Sequence, residues 1–311
     1  MSEALVTHAN QTIEAGSKSF ATAARLFDPA TRRSAVMLYA WCRYCDDVVD
    51  GQTLGFADQP DAERQSPDGR QRLAELRDLT RRAYAGEPMT LPAFAAFQEV
   101  VQRHAIAERY PQQHLDGFAM DVQGERYETL HDTLRYCYGV AGVVGIMMAR
   151  IMGVKEETTL DRACDLGLAF QLTNIARDIV EDAGMNRCYL PTEWLHEAGI
   201  PADKLVAPEY RPALAGLAAR LVETAEPYYH SARGGLGALP LRSAWAIATA
   251  HGVYREIGIK VKARGPHAWE ERISTSKADK LRLLTRGAWM TLSSRGETPA
   301  PRPASLWRRP L

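Results

Sequence analysis

Residues 43–50 read RYCDDVVD, in which Asp46 and Asp50 stand four positions apart among apolar residues. A spacing of four returns to the same face of an α-helix, so the segment predicts a helix with both carboxylates on one side. Residues 171–182 read QLTNIARDIVED and repeat this step. The oxygen-bearing positions there are Asn174, Asp178 and Asp182.

Both acidic stripes need a cation. Carboxylates four residues apart destabilise a helix by roughly 0.2–0.5 kcal/mol per pair in water, and by more when they are partly buried. Ligand sets made only of oxygen suit a hard ion such as Mg²⁺, which keeps several waters and often bridges to phosphates. Two facing stripes, each beside an arginine (Arg43 and Arg177), predict a cage for a metal–diphosphate cluster. The alternative is two solvated acidic faces.

Composition excludes several classes of protein. The chain has 311 residues and is 46% hydrophobic, enough for a large core. Lysine plus arginine and aspartate plus glutamate both number 38, so no basic excess predicts a nucleic-acid partner. The five cysteines are an odd, sparse set that is typical of a reducing compartment. No secretory signal is evident, which predicts a cytoplasmic location.

Apolar residues follow helical spacing nearly everywhere, which predicts an all-α chain of one domain over residues 1–311. We expect a core over about 13–290, with a flexible loop at 51–69 and a flexible tail at 296–311. The longest apolar run, residues 139–149, is too short to span a bilayer. The predicted helices are 13–27, 31–50, 70–85, 91–107, 111–123, 129–152, 158–183, 212–236, 241–263 and one that opens at 277.

Glycines at 139, 142 and 145 give the predicted helix 129–152 a smooth strip. Each glycine destabilises a helix by up to about 1 kcal/mol relative to alanine, so the strip needs a reason. It allows close approach either by another helix or by an isoprenoid chain, and the sequence leaves both open.

Five segments, in this order along the chain, resemble the squalene and phytoene synthases, which join two prenyl diphosphates head to head. The likeness extends over about residues 13–290 and is nearest to bacterial members of carotenoid pathways. The segments are SKSF at 17–20, residues 39–50, residues 136–145, residues 171–182 and RCYLP at 187–191.

The resemblance implies the class I isoprenoid (terpenoid) synthase fold, a helical bundle around a central cavity. It implies metal binding by Asp46, Asp50, Asn174, Asp178 and Asp182. It implies that the diphosphate is held by Ser17, Lys18, Ser19, Arg43 and Arg177, with Phe20 in the same substrate-binding segment. It places Tyr39, Tyr136, Gln171 and Tyr254 on the cavity wall. The expected catalytic residues are Asp46, Asp50, Tyr136, Asp178 and Asp182.

The implied reaction joins two geranylgeranyl diphosphates through a cyclopropyl (prephytoene) diphosphate to phytoene, the first step of carotenoid biosynthesis. The expected cofactor is Mg²⁺ or Mn²⁺, with no nicotinamide cofactor. The final proton goes either to Tyr136 or to the bound pyrophosphate. Since the product is insoluble in water, we expect peripheral contact with the inner face of the membrane and channelling to neighbouring carotenoid enzymes.

Three other functions remain open from the sequence. A C15-specific dehydrosqualene or squalene synthase would share all five segments. A head-to-tail prenyl chain elongator would share the D-D-x-x-D pattern of residues 46–50, but elongators repeat that pattern at the second site. A non-catalytic assembly factor would share the fold. One departure from the family is Asn186, which stands where a glycine is usual, and Asn tolerates left-handed backbone.

Overall fold

The computed structural model describes residues 5, 7, 9–10, 12–13, 18–53, 56–57, 68–296 and 298–310; of residues 18–20, 52–53 and 56–57 it describes only the backbone. The predicted all-α class is confirmed. The helices are α1 Lys18–Ala24, α2 Pro29–Asp50, α3 Gly69–Tyr84, α4 Pro92–Arg103, α5 Arg109–Val122, α6 Leu130–Cys137, α7 Val143–Ile151, α8 Glu157–Gly184, α9 Thr192–Glu197, α10 Arg211–Arg233, α11 Leu241–Arg264 and α12 Lys277–Ser293.

The segment 51–69, predicted as a loop, contains a minimal hairpin. Strand β1, Gln52–Thr53, pairs antiparallel with β2, Phe56–Ala57. Residues 54–55 and 58–67 lie outside the described residues, and Gly69 already belongs to α3.

Helix α2 is defined by caps at both ends. The Asp28 carboxylate accepts hydrogen bonds from the backbone N–H of Ala30 and Thr31, and Pro29 opens the first turn. Gly51 ends the helix with a left-handed φ of 64°. One face of α2 is buried through Trp41, whose ring stacks on Phe97 at 4.2 Å. Since this face is fixed in the core, the opposite face, with its acidic stripe, has a fixed direction.

Helix α8 is the central element. Its 28 residues span about 42 Å, and it packs against α7, α10 and α11. Buried leucines and alanines occupy most of its length, while the second acidic stripe lies in its last turns. That end carries the negative pole of the helix dipole, which favours bound cations.

The predicted helix 129–152 is divided by a π-helical turn. Helix α6 runs into a five-residue π turn, Tyr138–Gly142, and α7 continues from it. Glycine 139 lies against the backbone of Gly117 in α5, and Gly145 lies against the Ala163 carbonyl in α8. At these two glycines the strip therefore serves tight helix packing. Of the two roles that the sequence left open, approach by another helix or by an isoprenoid chain, the structure shows the first.

Within the described residues, one stretch, Leu130–Ile151, is long and apolar enough to cross a membrane by length and composition. The apolar run identified from the sequence, residues 139–149, is only part of this stretch. Its apolar window is 67% buried inside the protein, as is usual for a core helix.

Replacing Gly145 by alanine is expected to lower the free energy of unfolding by about 3 kcal/mol, because the new methyl would have to separate two packed helices. A Cβ at this position would lie 2.3 Å from the Ala163 carbonyl oxygen. Urea denaturation measures the loss. The matched control is Gly216→Ala in α10, where nothing lies within 4 Å of the added atom. Equal stability of both variants would contradict the packing role of the strip.

The described tail, residues 298–310, packs onto the bundle, so the predicted flexibility is wrong for this part. Arg302 donates two hydrogen bonds to Asp165 of α8, at 2.8 and 2.7 Å, and the Asp165 side chain is 0% exposed. Ser231 of α10 donates to the same carboxylate at 2.6 Å. The arginine-rich composition suggested solvation, but the acidic partners of these arginines lie on α8.

A second ion-pair group anchors the end of the tail. The Arg309 side chain, 2% exposed, donates to Asp161 at 2.7 Å and pairs with Glu157. The Trp307 ring lies 5.4 Å from that of Tyr138 in the π turn. The tail therefore ties the N-terminal half of α8 to the π turn.

Candidate active site

The two acidic stripes meet at Arg187, in the loop after α8. Arg187 forms two hydrogen bonds to the Asp50 carboxylate, one of them 3.1 Å long, across 137 residues of sequence. Its charge also partly opposes the burial that raises the pKa values of Asp46 and Asp182. The last turns of α2 and α8 therefore face one another at the same end of the bundle, as the sequence predicts.

The carboxylates at this end have too few cations for their number. Burial, and then repulsion from Asp50, raise the pKa of Asp46 to about 6. Burial, and then the charges of Asp178 and Glu181, raise the pKa of Asp182 to about 7. Among the described residues, no donor forms a hydrogen bond or an ion pair with the Asp182 side chain. A cation bound here would remove both penalties.

Arginines already neutralise part of the acidic charge. Arg43 pairs with both Asp46 and Asp47 at 3.0 Å. Arg177 donates from Nε to Asp178 at 2.8 Å. Both predicted diphosphate-binding arginines thus lie beside the predicted metal ligands, where they can also contact a phosphate that a metal ion bridges.

The donor set fits a hard divalent ion. The buried Oδ1 of Asn174 has no hydrogen-bond partner, while its Nδ2 lies 3.4 Å from Gln171. An orphaned buried oxygen that points along the same stripe as Asp178 and Asp182 suits a metal ligand. Among the described residues, no three acidic, histidine or cysteine side chains cluster tightly enough to hold an ion by themselves. Phosphate oxygens and waters would therefore complete the shell.

A tyrosine pair and one aspartate adjoin the acidic stripes. The hydroxyls of Tyr136 and Tyr189 donate to the two oxygens of Asp121, at 3.2 and 3.0 Å. The two rings stack at 4.4 Å. Burial, followed by the charge of Asp121, raises the pKa of Tyr136, so its phenol stays protonated. Burial also raises the pKa of Asp121 to about 6, despite the charge of Arg187.

The remaining wall residues gather around Tyr254. Its ring stacks on Phe170 at 4.0 Å, one residue before Gln171. The Tyr39 phenol and the Arg177 guanidinium both lie near the Tyr254 phenol, so α2, α8 and α11 meet at this point. Burial, opposed by Arg43, raises the pKa of Tyr39 to about 12. Tyr39 and Tyr254 therefore lie together, Gln171 follows Phe170 on α8, and Tyr136 belongs to the neighbouring tyrosine pair.

The first predicted substrate segment is only partly described. Ser17 lies outside the described residues, and for Lys18, Ser19 and Phe20 the structure gives the helical backbone of α1. Helix α1 packs against α11, the helix that carries Tyr254. At the other end of the site Asn186 has a φ of 58°, the left-handed backbone expected where the family has glycine.

Sequence reasoning missed three polar residues of this site. Arg187 stood in a recognised segment but received no role. Asp121, near the end of the predicted helix 111–123, also received no role. Arg272 pairs with Glu181 at 2.7 Å and lies 3.7 Å from Asp178. Each is far in sequence from its partners, so no local spacing could have indicated it.

A small cavity opens beside the cluster. Asp182, Arg187 and Tyr189 line it, together with apolar side chains of α8 and Leu205. Its lining combines charged and phenolic groups with hydrocarbon, the mixture expected beside a substrate that has an anionic head and an apolar chain.

Comparison with known proteins agrees with this chemistry. The squalene/phytoene synthase family model matches residues 13–279. The chain is 61% identical to 15-cis-phytoene synthase of Pantoea ananas, over 99% of this chain and 98% of the relative. It is 60% identical to phytoene synthase of Pseudescherichia vulneris over the same shares.

Solved structures show the same fold. A dehydrosqualene synthase in complex with ligand superposes with a TM-score of 0.82 at 25% identity, over 94% of this chain and 98% of that chain. A squalene synthase from Alicyclobacillus acidocaldarius gives a TM-score of 0.73 at 21% identity, over 85% of this chain and 95% of that chain. The family match over most of the chain, the full-length relatives and the facing acidic stripes lead to one conclusion: the chain belongs to the squalene/phytoene synthase family.

Proposed function

We propose that this protein condenses two geranylgeranyl diphosphates head to head, through prephytoene diphosphate, to 15-cis-phytoene. Two diphosphates and two protons leave for each phytoene formed: one proton as the cyclopropane ring closes and one as the final double bond forms. The observation that carries the proposal is the meeting of Asp50 and Asp182 at Arg187, which provides one anionic-head site from two distant helices. Relatives that share about 60% of their residues over their full length carry the phytoene synthase name.

Several side chains would hold the departing diphosphate. Arg43, Arg177 and Arg187 lie at the acidic stripes and can donate to phosphate oxygens as negative charge develops on them. Asp46, Asp50, Asn174, Asp178 and Asp182 would bind Mg²⁺ or Mn²⁺, which supplies Lewis-acid stabilisation of the leaving group.

Aromatic rings would stabilise the carbocations. The stacked pair of Phe170 and Tyr254 and the stacked pair of Tyr136 and Tyr189 border the site. A ring face within reach of a cation contributes about 0.5–2 kcal/mol. Exclusion of water from these rings would keep the cation from being quenched.

The final proton has a path through the tyrosine pair. The Tyr136 oxygen can accept a proton while its own hydroxyl proton passes to Asp121, 3.2 Å away. With a pKa of about 6, Asp121 is ready to accept and later release it near neutral pH. Bound pyrophosphate is the other acceptor, and it needs no side chain.

A product assay tests the function. Geranylgeranyl diphosphate alone, with Mg²⁺ or Mn²⁺, is expected to give phytoene without any added reductant. Farnesyl diphosphate is offered separately, with and without reduced nicotinamide, and isopentenyl diphosphate is added in a third series. Squalene formed only with the reductant, or chain lengthening with isopentenyl diphosphate, would replace the proposal with one of its rivals. Absence of pyrophosphate release from every allylic diphosphate would favour an assembly factor.

The location proposed from the chemistry is cytoplasmic, with peripheral contact at the inner face of the membrane. Substrates with long apolar chains and an insoluble product support it. Channelling to neighbouring carotenoid enzymes would follow from a shared membrane surface.

A further inference from the structure

Helix α12 has an exposed apolar face. Leu281, Trp289 and Leu292 are 67%, 73% and 62% exposed. On a helix that turns by 100° per residue, these three side chains lie within about 80° of one another. Leu283 and Met290 are buried on the opposite face, where α12 packs against α11. A large, exposed apolar strip on a well-packed helix is typical of an interaction surface.

The edges of this face are cationic. Lys277, Arg282 and Arg286 are exposed on α12. The only acid of the helix, Asp279, is bonded to Lys260 and to the capping Ser276, so its charge is compensated. Arg282 pairs with Glu256 of α11 at 3.0 Å, so the cations without an acidic partner among the described residues of this face are Lys277 and Arg286, one at each edge. Leucine and tryptophan on one side with lysine and arginine at the edge are the composition of a helix that lies in a membrane interface.

Helix α12 also lies near the expected substrate helix, on the side turned away from its exposed apolar face. A small cavity between α1, α11 and α12 is lined by Thr22, Thr249, Val253 and Lys280. Helix α1 carries the Lys18–Phe20 segment, and Val253 precedes Tyr254 of the candidate site. Helix α12 therefore stands between the exposed apolar face and two helices of the candidate site.

We propose that the α12 face, formed by Leu281, Trp289 and Leu292 with Lys277 and Arg286 at its edges, seats the protein on anionic phospholipid. The purpose of this contact, access to a lipid-borne substrate, rests on the proposed function. The α12 face is the surface through which the membrane contact occurs. Lipid fits better than a protein partner because the apolar strip is narrow and its cations match an anionic headgroup layer.

Vesicle flotation with the full chain, in the absence of substrate, tests the surface. The wild-type protein is expected to float with vesicles that contain phosphatidylglycerol and to float less with pure phosphatidylcholine. The double variant Trp289→Ser, Leu292→Ser is expected to bind the anionic vesicles at least about tenfold more weakly. The double variant Lys277→Gln, Arg286→Gln is expected to lose the preference for anionic lipid while retaining weak binding.

Controls separate this surface from general effects. Val206→Ser removes another exposed apolar side chain and is expected to leave flotation unchanged. Both double variants are expected to keep wild-type product formation when substrate is supplied in detergent micelles. Unchanged flotation of the tryptophan–leucine variant, or equal wild-type binding to both vesicle types, would overturn the proposal. Conversion of a dimer to a monomer by that variant would assign the face to self-association. Flotation without product formation would retain the surface and reject the proposed function.

Discussion

Asp182→Asn is expected to abolish turnover and yet to stabilise the protein. Removal of one proposed metal ligand should lower kcat by roughly a thousandfold or more, because charge developing on the leaving diphosphate would lose its stabilisation. Among the predicted ligands, Asp182 gives the clearest test, because no described donor pairs with its side chain. Asp50 and Asp178 are paired with arginines, so Asp50→Ala and Asp178→Ala, which should also abolish turnover, each free a buried cation.

The gain in stability follows from the pKa of Asp182, which is raised from 3.8 to about 7. Above pH 7 the ionised carboxylate reduces the stability of the wild-type protein, and Asn removes that cost. We expect the free energy of unfolding at pH 8 to rise by about 2 kcal/mol. Between pH 7 and about 4 the folded protein keeps the proton and the unfolded chain releases it, so the advantage of Asn shrinks as pH falls.

Three measurements check the Asp182 prediction. Urea denaturation at pH 8 and pH 5 gives the two stabilities. Product formation gives the loss of turnover. Pyrophosphate with Mg²⁺ should raise the melting temperature of the wild-type protein and raise that of the variant much less. Normal turnover by Asp182→Asn would remove this residue from the site, and lower stability at pH 8 would reject the electrostatic cost.

Arg302→Ala is expected to lower the free energy of unfolding by about 3 kcal/mol, because it leaves the buried carboxylate of Asp165 without its cation. Removing both partners is less harmful than removing one, so Asp165→Asn combined with Arg302→Gln should recover most of the loss. Chemical denaturation measures both variants.

The control for the tail is Arg295→Ala, which removes an exposed arginine bonded only to the Gly237 carbonyl among the described residues. Its effect should stay below about 1 kcal/mol. A loss for Arg302→Ala no larger than this control would mean that the tail packs without contributing to stability.

The sequence predicted the features that short spacing determines. The four-residue step of the acidic residues indicated which side of α2 and α8 faces the site, and the predicted start of α2 at residue 31 lies two residues after the observed start at Pro29. The left-handed backbone at Asn186 followed from the residue type. These features depend on neighbours within about one helical turn.

Features that depend on tertiary contacts could not be predicted. The π turn at Tyr138–Gly142 divides a segment whose apolar pattern is continuous. The tail looked disordered because its arginines find their partners on α8, more than 130 residues earlier in the sequence. Arg187 and Asp121 acquire a role only once α2, α5 and α8 are placed side by side.

Arg43, Arg177 and Arg187 also give the molecule internal counter-ions. Because each of these guanidinium groups already neutralises a carboxylate, the chain can reach its native state before any metal is loaded, unlike small zinc domains that are unfolded without their ion. The newly synthesised protein would then be independent of the cell's free magnesium for folding, and dependent on it only for turnover. Dialysis against a chelator should therefore abolish turnover reversibly, while the protein stays folded and as resistant to proteases as before.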